Sequence, residues 1–249
     1  MWQKIVASIA IAVLTAGAAF PGDGDPTGAA NRLKEAWNLK KTSFKQEAEV
    51  KKDILLKTVE CYRSLLTDFP EAKAECSEAC FRMGEIYRSL KMSDEAAQEF
   101  NRSIAFLPAQ EFAARALKEI GHIHRRAKEY DKAIIFYKRV LHECKEQREQ
   151  CADTYTWIGK VHLKRKEIEK ARGQFIGFVE AFPEFPDDGV RNIDLAVGTL
   201  IDEGQKDEAA ALLNKWRQHF ESLLGKDKRL DKKIEKALER MKSPERLKE

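Results

Sequence analysis

Small and large apolar residues recur along this chain at a long, regular interval. Gly84, Gly121, Gly159 and Gly198 each follow an apolar residue (Met83, Ile120, Ile158 and Val197), at spacings of 37, 38 and 39. Eleven or twelve residues after each glycine stands an alanine: Ala96, Ala133, Ala171 and Ala209. Four further on comes a large apolar residue: Phe100, Tyr137, Phe175 and Leu213. Three series keeping one period mark a repeat array. Glycine inside a helix costs about 1 kcal/mol relative to alanine, so four in register need a packing reason. Their missing side chains predict close approach between the two helices of a hairpin, with the alanines as the small surface facing them. The large residues are expected to fill the space between one hairpin and the next. Each hairpin then leaves apolar surface that only a neighbour can cover, which predicts a stack.

The punctuation agrees with this period. Arg88 to Glu95 closes one predicted helix and opens another, with Ser93 or Asp94 as candidate N-cap and Asp131 and Asp207 at similar points later. Between hairpins stand Phe69-Pro70, Leu107-Pro108 and Phe182-Pro183. Proline stops a helix there and pushes its preceding residue out of the α region.

These residues resemble the tetratricopeptide repeat (TPR) family. The apolar-Gly pair, Tyr87 three residues later, the alanine, the aromatic and the proline stand where that motif has them. His124, His162 and Ile201 replace the tyrosine in later units, and the period is longer than the family's common one. The longer units with Phe-Pro junctions are similar to those of exported bacterial proteins in outer-membrane assembly and cell-envelope coordination. The resemblance implies an all-α fold, an α-α superhelix of antiparallel hairpins. It further implies a protein that binds a protein or peptide in its concave groove and is not an enzyme.

The expected organisation has a leader peptide at 1–18, a flexible linker at 19–29, a degenerate helical hairpin at 30–70, and four repeats at 71–108, 109–147, 148–185 and 186–224. Residues 225–249 form a capping helix and basic tail. The leader is read from Lys4, the uncharged stretch Ile5–Phe20 and the small-x-small site Ala16-Gly17-Ala18. Export to the periplasm or beyond follows, with cleavage near Ala18; retention of the stretch as an anchor is the alternative. In the linker, Pro21 to Gly28 reads as a segment that cannot pack. The first helix of the degenerate hairpin is placed around Asn31–Glu49. In the cap, Leu230, Ile234, Leu238 and Met241 make one apolar stripe.

Charge adds one point. The net charge of +4 is concentrated in Gly225–Glu249, so the repeats are near neutral and no nucleic-acid partner is expected.

Candidate chemistry is sparse. Glu119, His122 and His124 share a helix, but a second ligand pair is missing, so packing or groove lining is favoured over a metal site. Cys61, Cys76, Cys80, Cys144 and Cys151 show no C-x-x-C spacing. A disulfide joining Cys144 to Cys151, or Cys61 to Cys76 or Cys80, stands against buried free thiols. No nucleophile motif and no phosphate-cradling loop is present, and no cofactor is expected.

The family's groove positions lie three before each repeat glycine, one after it, and four or five after it. Carried over, they are Phe81, Glu85, Arg88 and Ser89; Lys118, His122, Arg125 and Arg126; Thr156, Lys160, Leu163 and Lys164; and Leu195, Thr199, Asp202 and Glu203. The middle units make a basic band, suited to an acidic or carboxylate-ended peptide with Phe81 as its apolar contact. Self-association through the tail or an exposed end is the alternative, and a metal or redox role a more distant one.

Overall fold

The computed structural model describes residues 26–225 and 228–241, and the described residues form eleven helices and no strand. Helices α1 (Pro26–Thr42) and α2 (Ala48–Asp68) make the first hairpin. Four more follow: α3 (Lys73–Ser89) with α4 (Ser93–Phe106), α5 (Glu111–Arg126) with α6 (Tyr130–Glu143), α7 (Arg148–Lys164) with α8 (Ile168–Ala181), and α9 (Pro186–Asp202) with α10 (Lys206–Leu223). Helix α11 (Lys228–Met241) lies on α9 and α10. Each second helix packs on the first helix of the next hairpin, and α1, α3, α5 and α7 also touch in sequence along one face. This is an α-α superhelix, with the first helices on the inside of the curve.

The expected leader, residues 1–18, lies outside the described residues, as does the end of the basic tail. The linker expected over 19–29 ends earlier: α1 begins at Pro26, and Ala29 is fully buried. Proline is tolerated in a first helical turn because its missing N–H has no partner there anyway. The first helix stops at Thr42 rather than continuing to Glu49, and Ser43 to Glu47 form the turn. In the cap, Ile234 and Leu238 are buried as expected.

Ala96, Ala133, Ala171 and Ala209 are fully buried. The large series shares core clusters with the next hairpin, Phe100 with Ala116 and Ile120, Tyr137 with Ile158 and Phe175 with Ala196, but that is not its closest contact. Phe100, Tyr137 and Phe175 press onto the glycine of their own hairpin. A Cβ on Gly84 would stand 2.5 Å from Phe100 Cε1, one on Gly121 2.4 Å from Tyr137 Cε1, and one on Gly159 2.4 Å from Phe175 Cε1. Each ring is fully buried, so glycine is what admits it. Gly198 is different, because a Cβ there would meet nothing within 4 Å.

The turns inside the hairpins close through backbone rather than the expected side-chain caps. Neither Met92 nor Glu129 nor Gln205, the N-cap residues, makes a side-chain cap hydrogen bond. Each turn of the last four hairpins carries one left-handed residue: Lys91, Lys128 and Lys166 at φ 62° and Gly204 at φ 76°. The amide after it donates back to the helix, Met92 N to Tyr87 O at 2.9 Å and Glu129 N to His124 O at 2.9 Å. This is a Schellman-type ending, which favours glycine. Lys128→Gly is therefore expected to raise stability by about 0.5–1 kcal/mol, read as a higher denaturant midpoint. A fall would show that the lysine side chain contributes more than its backbone strain costs.

Candidate functional site

The concave face is built by α3, α5, α7 and α9, and the repeat period places the same offsets from each glycine there. Many of these side chains are already committed to one another, which changes the predicted basic band. Phe81 is only 2% exposed. Phe112 of the next hairpin lies 5.6 Å from it and the Arg115 guanidinium covers it at 4.6 Å, so Phe81 is core and not an apolar contact for a ligand. Glu85 is held by Arg82 at 3.2 Å and Lys40 at 3.9 Å. Arg88 donates to Glu119 at 2.5 Å, and Lys118 to Asp153 at 2.7 Å and Gln150 at 2.8 Å. Further on, Arg172 binds Thr199 Oγ1 at 3.0 Å and also pairs with Glu203. Thr156 and Asn192 are hydrogen-bonded across α7 and α9 at 2.9 Å. Adjacent repeats are thus tied rung by rung. Such half-exposed pairs fix geometry more than they stabilise, at roughly 0–1 kcal/mol each.

The remaining predicted groove cations gather at one point. Trp157 on α7 is half-buried, with the Arg125 guanidinium 4.6 Å and the Lys160 ammonium 4.4 Å from its ring centroid. Cations over an indole face are attracted by its quadrupole. His122 meets the same ring edge-on at 4.7 Å and is hydrogen-bonded through Nδ1 to Tyr137 Oη at 2.6 Å. Burial, reinforced by Arg125 and Lys118, pulls the His122 imidazole down to about 4. It is neutral at physiological pH. Arg126 and Lys164 are exposed beside this cluster.

Next to the cluster, α7 and α9 stand further apart than α5 and α7 do. A cleft of about 340 Å³ opens there, with Lys118, Thr156, Lys160, Asp188, Asn192 and Leu195 among its lining. Phe178, fully buried, lies at its floor. Its lining mixes basic side chains (Lys118, Lys160, Arg191) with acidic ones (Glu149, Asp153, Asp188), while the buried Asn192 amide donates to Thr156 Oγ1 and Asp188 O.

Glu119, His122 and His124 do not converge. Glu119 is bound to Arg88, His122 to Tyr137, and His124 stacks on Phe136 at 5.2 Å while pairing with Glu129 at 2.6 Å. Among the described residues no three His, Cys, Asp or Glu side chains group as a metal site.

The Cys144–Cys151 pairing is not made, and all five cysteines are free thiols. Cys151 donates to Cys144 O at 3.3 Å, and Cys76 makes the same bond to Phe69 O at 3.3 Å, seven residues back in both cases. These thiols therefore occupy one equivalent packing position in two repeats. Burial pushes Cys76 and Cys144 up to about 11 and Cys80 to about 12. A thiol reagent at neutral pH is expected to reach half-buried Cys61 alone until the protein is unfolded, when all five react. Only three reacting in denaturant would show a disulfide.

The residues missed by sequence reasoning are Trp157, Asp153 and Asn192. Asp153 and Asn192 share an offset of six before the repeat glycine with Glu78 and Arg115. That offset carried the signal, because it faces the preceding repeat.

Residues 77–106 and 116–152 each match the tetratricopeptide repeat family. No curated protein matches the chain in sequence. Solved structures share its fold at low identity. A putative kinesin light chain from Podosopora anserina with nearly identical TPR-like repeats has a TM-score of 0.52 at 11% identity, covering 78% of this chain and 95% of that one. BtubC (BKLC) from P. vanneervenii reaches 0.51 at 12%, covering 86% and 91%. A MamA protein reaches 0.50 at 16%, covering 78% and 94%. The chain carries tetratricopeptide repeats, and its described helices stack as an α-α superhelix.

Proposed function

We propose that this protein is a non-catalytic scaffold of the cell envelope that holds an extended segment of a protein partner along its concave face. The observation that carries the reading is the cleft between α7 and α9. It continues the line of first helices and offers charged groups of both signs and an apolar floor. Such a mixture suits a polypeptide, whose backbone and side chains need both. The envelope location rests on the leader pattern of residues 1–18. Among the described residues no helix is long and apolar enough to cross a membrane.

The test is a photo-crosslinking amino acid placed at Thr156, in the cleft, or at Ile135, 57% exposed on α6. In envelope extracts the Thr156 position is expected to give a discrete adduct and the Ile135 position none. Adducts from Ile135 alone would move the binding surface off the concave face. N-terminal sequencing of the exported protein is expected to begin near Ala19, and an intact Met1 on membrane-bound protein would replace the leader with an anchor.

A further inference from the structure

We infer that the segment held on the concave face is acidic, and that its carboxylates are taken by Arg125, Arg126, Lys160 and Lys164 around Trp157. The inference rests on the groove reading above and adds the chemistry of the partner and the side chains that recognise it.

The argument begins with which cations have acids and which do not. Along the same inner face, Arg88 and Lys118 each reach a carboxylate of the neighbouring repeat, and Arg172 of α8 does the same from the second helix. Among the described residues, none of Arg125, Arg126, Lys160 and Lys164 does. The nearby acids are engaged elsewhere: Glu119 by Arg88, Asp153 by Lys118, and Glu129 by His124 and Lys132. Two adjacent first helices thus bring together cations without local anions, and such cations attract an anion from outside.

Their state of order points the same way. The Trp157 ring holds Arg125 and Lys160 in place, 4.6 and 4.4 Å from its centroid. Side chains held before binding lose less freedom when a ligand arrives. The Arg125 guanidinium is further held by the Tyr137 hydroxyl, so a carboxylate entering between Arg125 and Lys160 meets cations that are already placed.

The surroundings favour a peptide over a polyphosphate chain. Lys160 also lines the cleft, so a segment seated on the cluster runs on toward α9. There it meets Glu149, Asp153 and Asp188, which would repel a continuous phosphate backbone. A polypeptide can present acidic residues to the cluster and neutral ones to the cleft.

The probe is a fluorescein-labelled peptide of four glutamates followed by alternating serine and leucine, amidated at its C terminus. Its counterpart has glutamine in place of glutamate. The full-length mature protein is expected to bind the glutamate peptide, with affinity falling as salt is raised. Lys160→Glu and the exposed pair Arg126→Glu/Lys164→Glu are each expected to weaken it by about tenfold or more, while Lys41→Glu on α1 leaves it unchanged. Arg126 and Lys164 are exposed and Lys160 is half-buried, and circular dichroism checks that the helices persist in each variant.

Equal binding of the two peptides, or no loss in either cluster variant, would overturn the inference. Single-stranded DNA bound equally tightly by the same four side chains would overturn the peptide assignment. If neutral peptides crosslink at Thr156 while the glutamate peptide does not, the inference falls and the groove reading stands. If no peptide of any composition crosslinks there, both fall.

Discussion

Gly121→Ala is expected to destabilise the protein by about 2–3 kcal/mol, while Gly198→Ala stabilises it by about 0.5–1 kcal/mol. The two glycines hold the same place in their repeats and differ in what faces them. At Gly121 an added Cβ lies 2.4 Å from Tyr137 Cε1 and 2.6 Å from Cδ1. The ring cannot retreat, because Tyr137 is fully buried and its hydroxyl is tied to His122. Overpacking of that kind exceeds the gain in helix propensity that alanine brings. At Gly198 nothing lies within 4 Å of the new methyl group, so only the propensity gain remains. Gly84→Ala and Gly159→Ala follow Gly121, since Phe100 and Phe175 stand 2.5 and 2.4 Å away. Denaturant midpoints of the four variants provide the measurement. Equal shifts in all four would mean that the rings move aside and that the glycines are kept for some other reason.

That contrast also shows where sequence stops being sufficient. The period of glycine, alanine and aromatic was legible because most of its positions tolerate few side chains; Gly198 keeps the period without that constraint. The direction in which an aromatic points was not legible. Phe100 lies against its own hairpin's Gly84 because the two helices close on it, and no spacing says so. Pro26 to Gly28 has the composition of a turn, yet begins α1 because Ala29 and Ala36 bury themselves in the first hairpin.

The groove shows the same limit more sharply. The offsets from the repeat glycine put Lys118 and Arg125 on α5 and Lys160 on α7. Whether each is available depends on the next repeat: Asp153 reaches back to Lys118, whereas the side chain that meets Arg125 and Lys160 is Trp157. Phe81 likewise is covered by Phe112 and Arg115 of the following hairpin. Contacts between repeats are set by the pitch of the superhelix. A small rotation per hairpin accumulates along the stack, and the residue types alone do not contain it.

Acid is expected to weaken this fold through His122. The imidazole is buried between Tyr137 and Trp157, with Arg125, Lys118 and Arg126 as its cationic neighbours and Asp153 as the nearby acid. Protonating it there adds a charge that is both poorly hydrated and repelled, which is why its native pKa sits at about 4 against an ordinary 6.5. The unfolded chain therefore binds the proton first. Between these two values stability falls as pH falls, with the full loss of about 3 kcal/mol present below pH 4 and none of it above about pH 7. His122→Gln is expected to be less stable than the parent at pH 7, because the Tyr137 and Trp157 contacts are poorer. It should lose that disadvantage progressively as pH is lowered. Subtracting the two stability profiles cancels the carboxylates, which titrate in both proteins. A difference independent of pH from 7 to 4 would show that the cluster accepts a proton without cost. The cations around Trp157 would then be better screened than their lack of acidic partners implies, and the case for an incoming carboxylate would weaken with it.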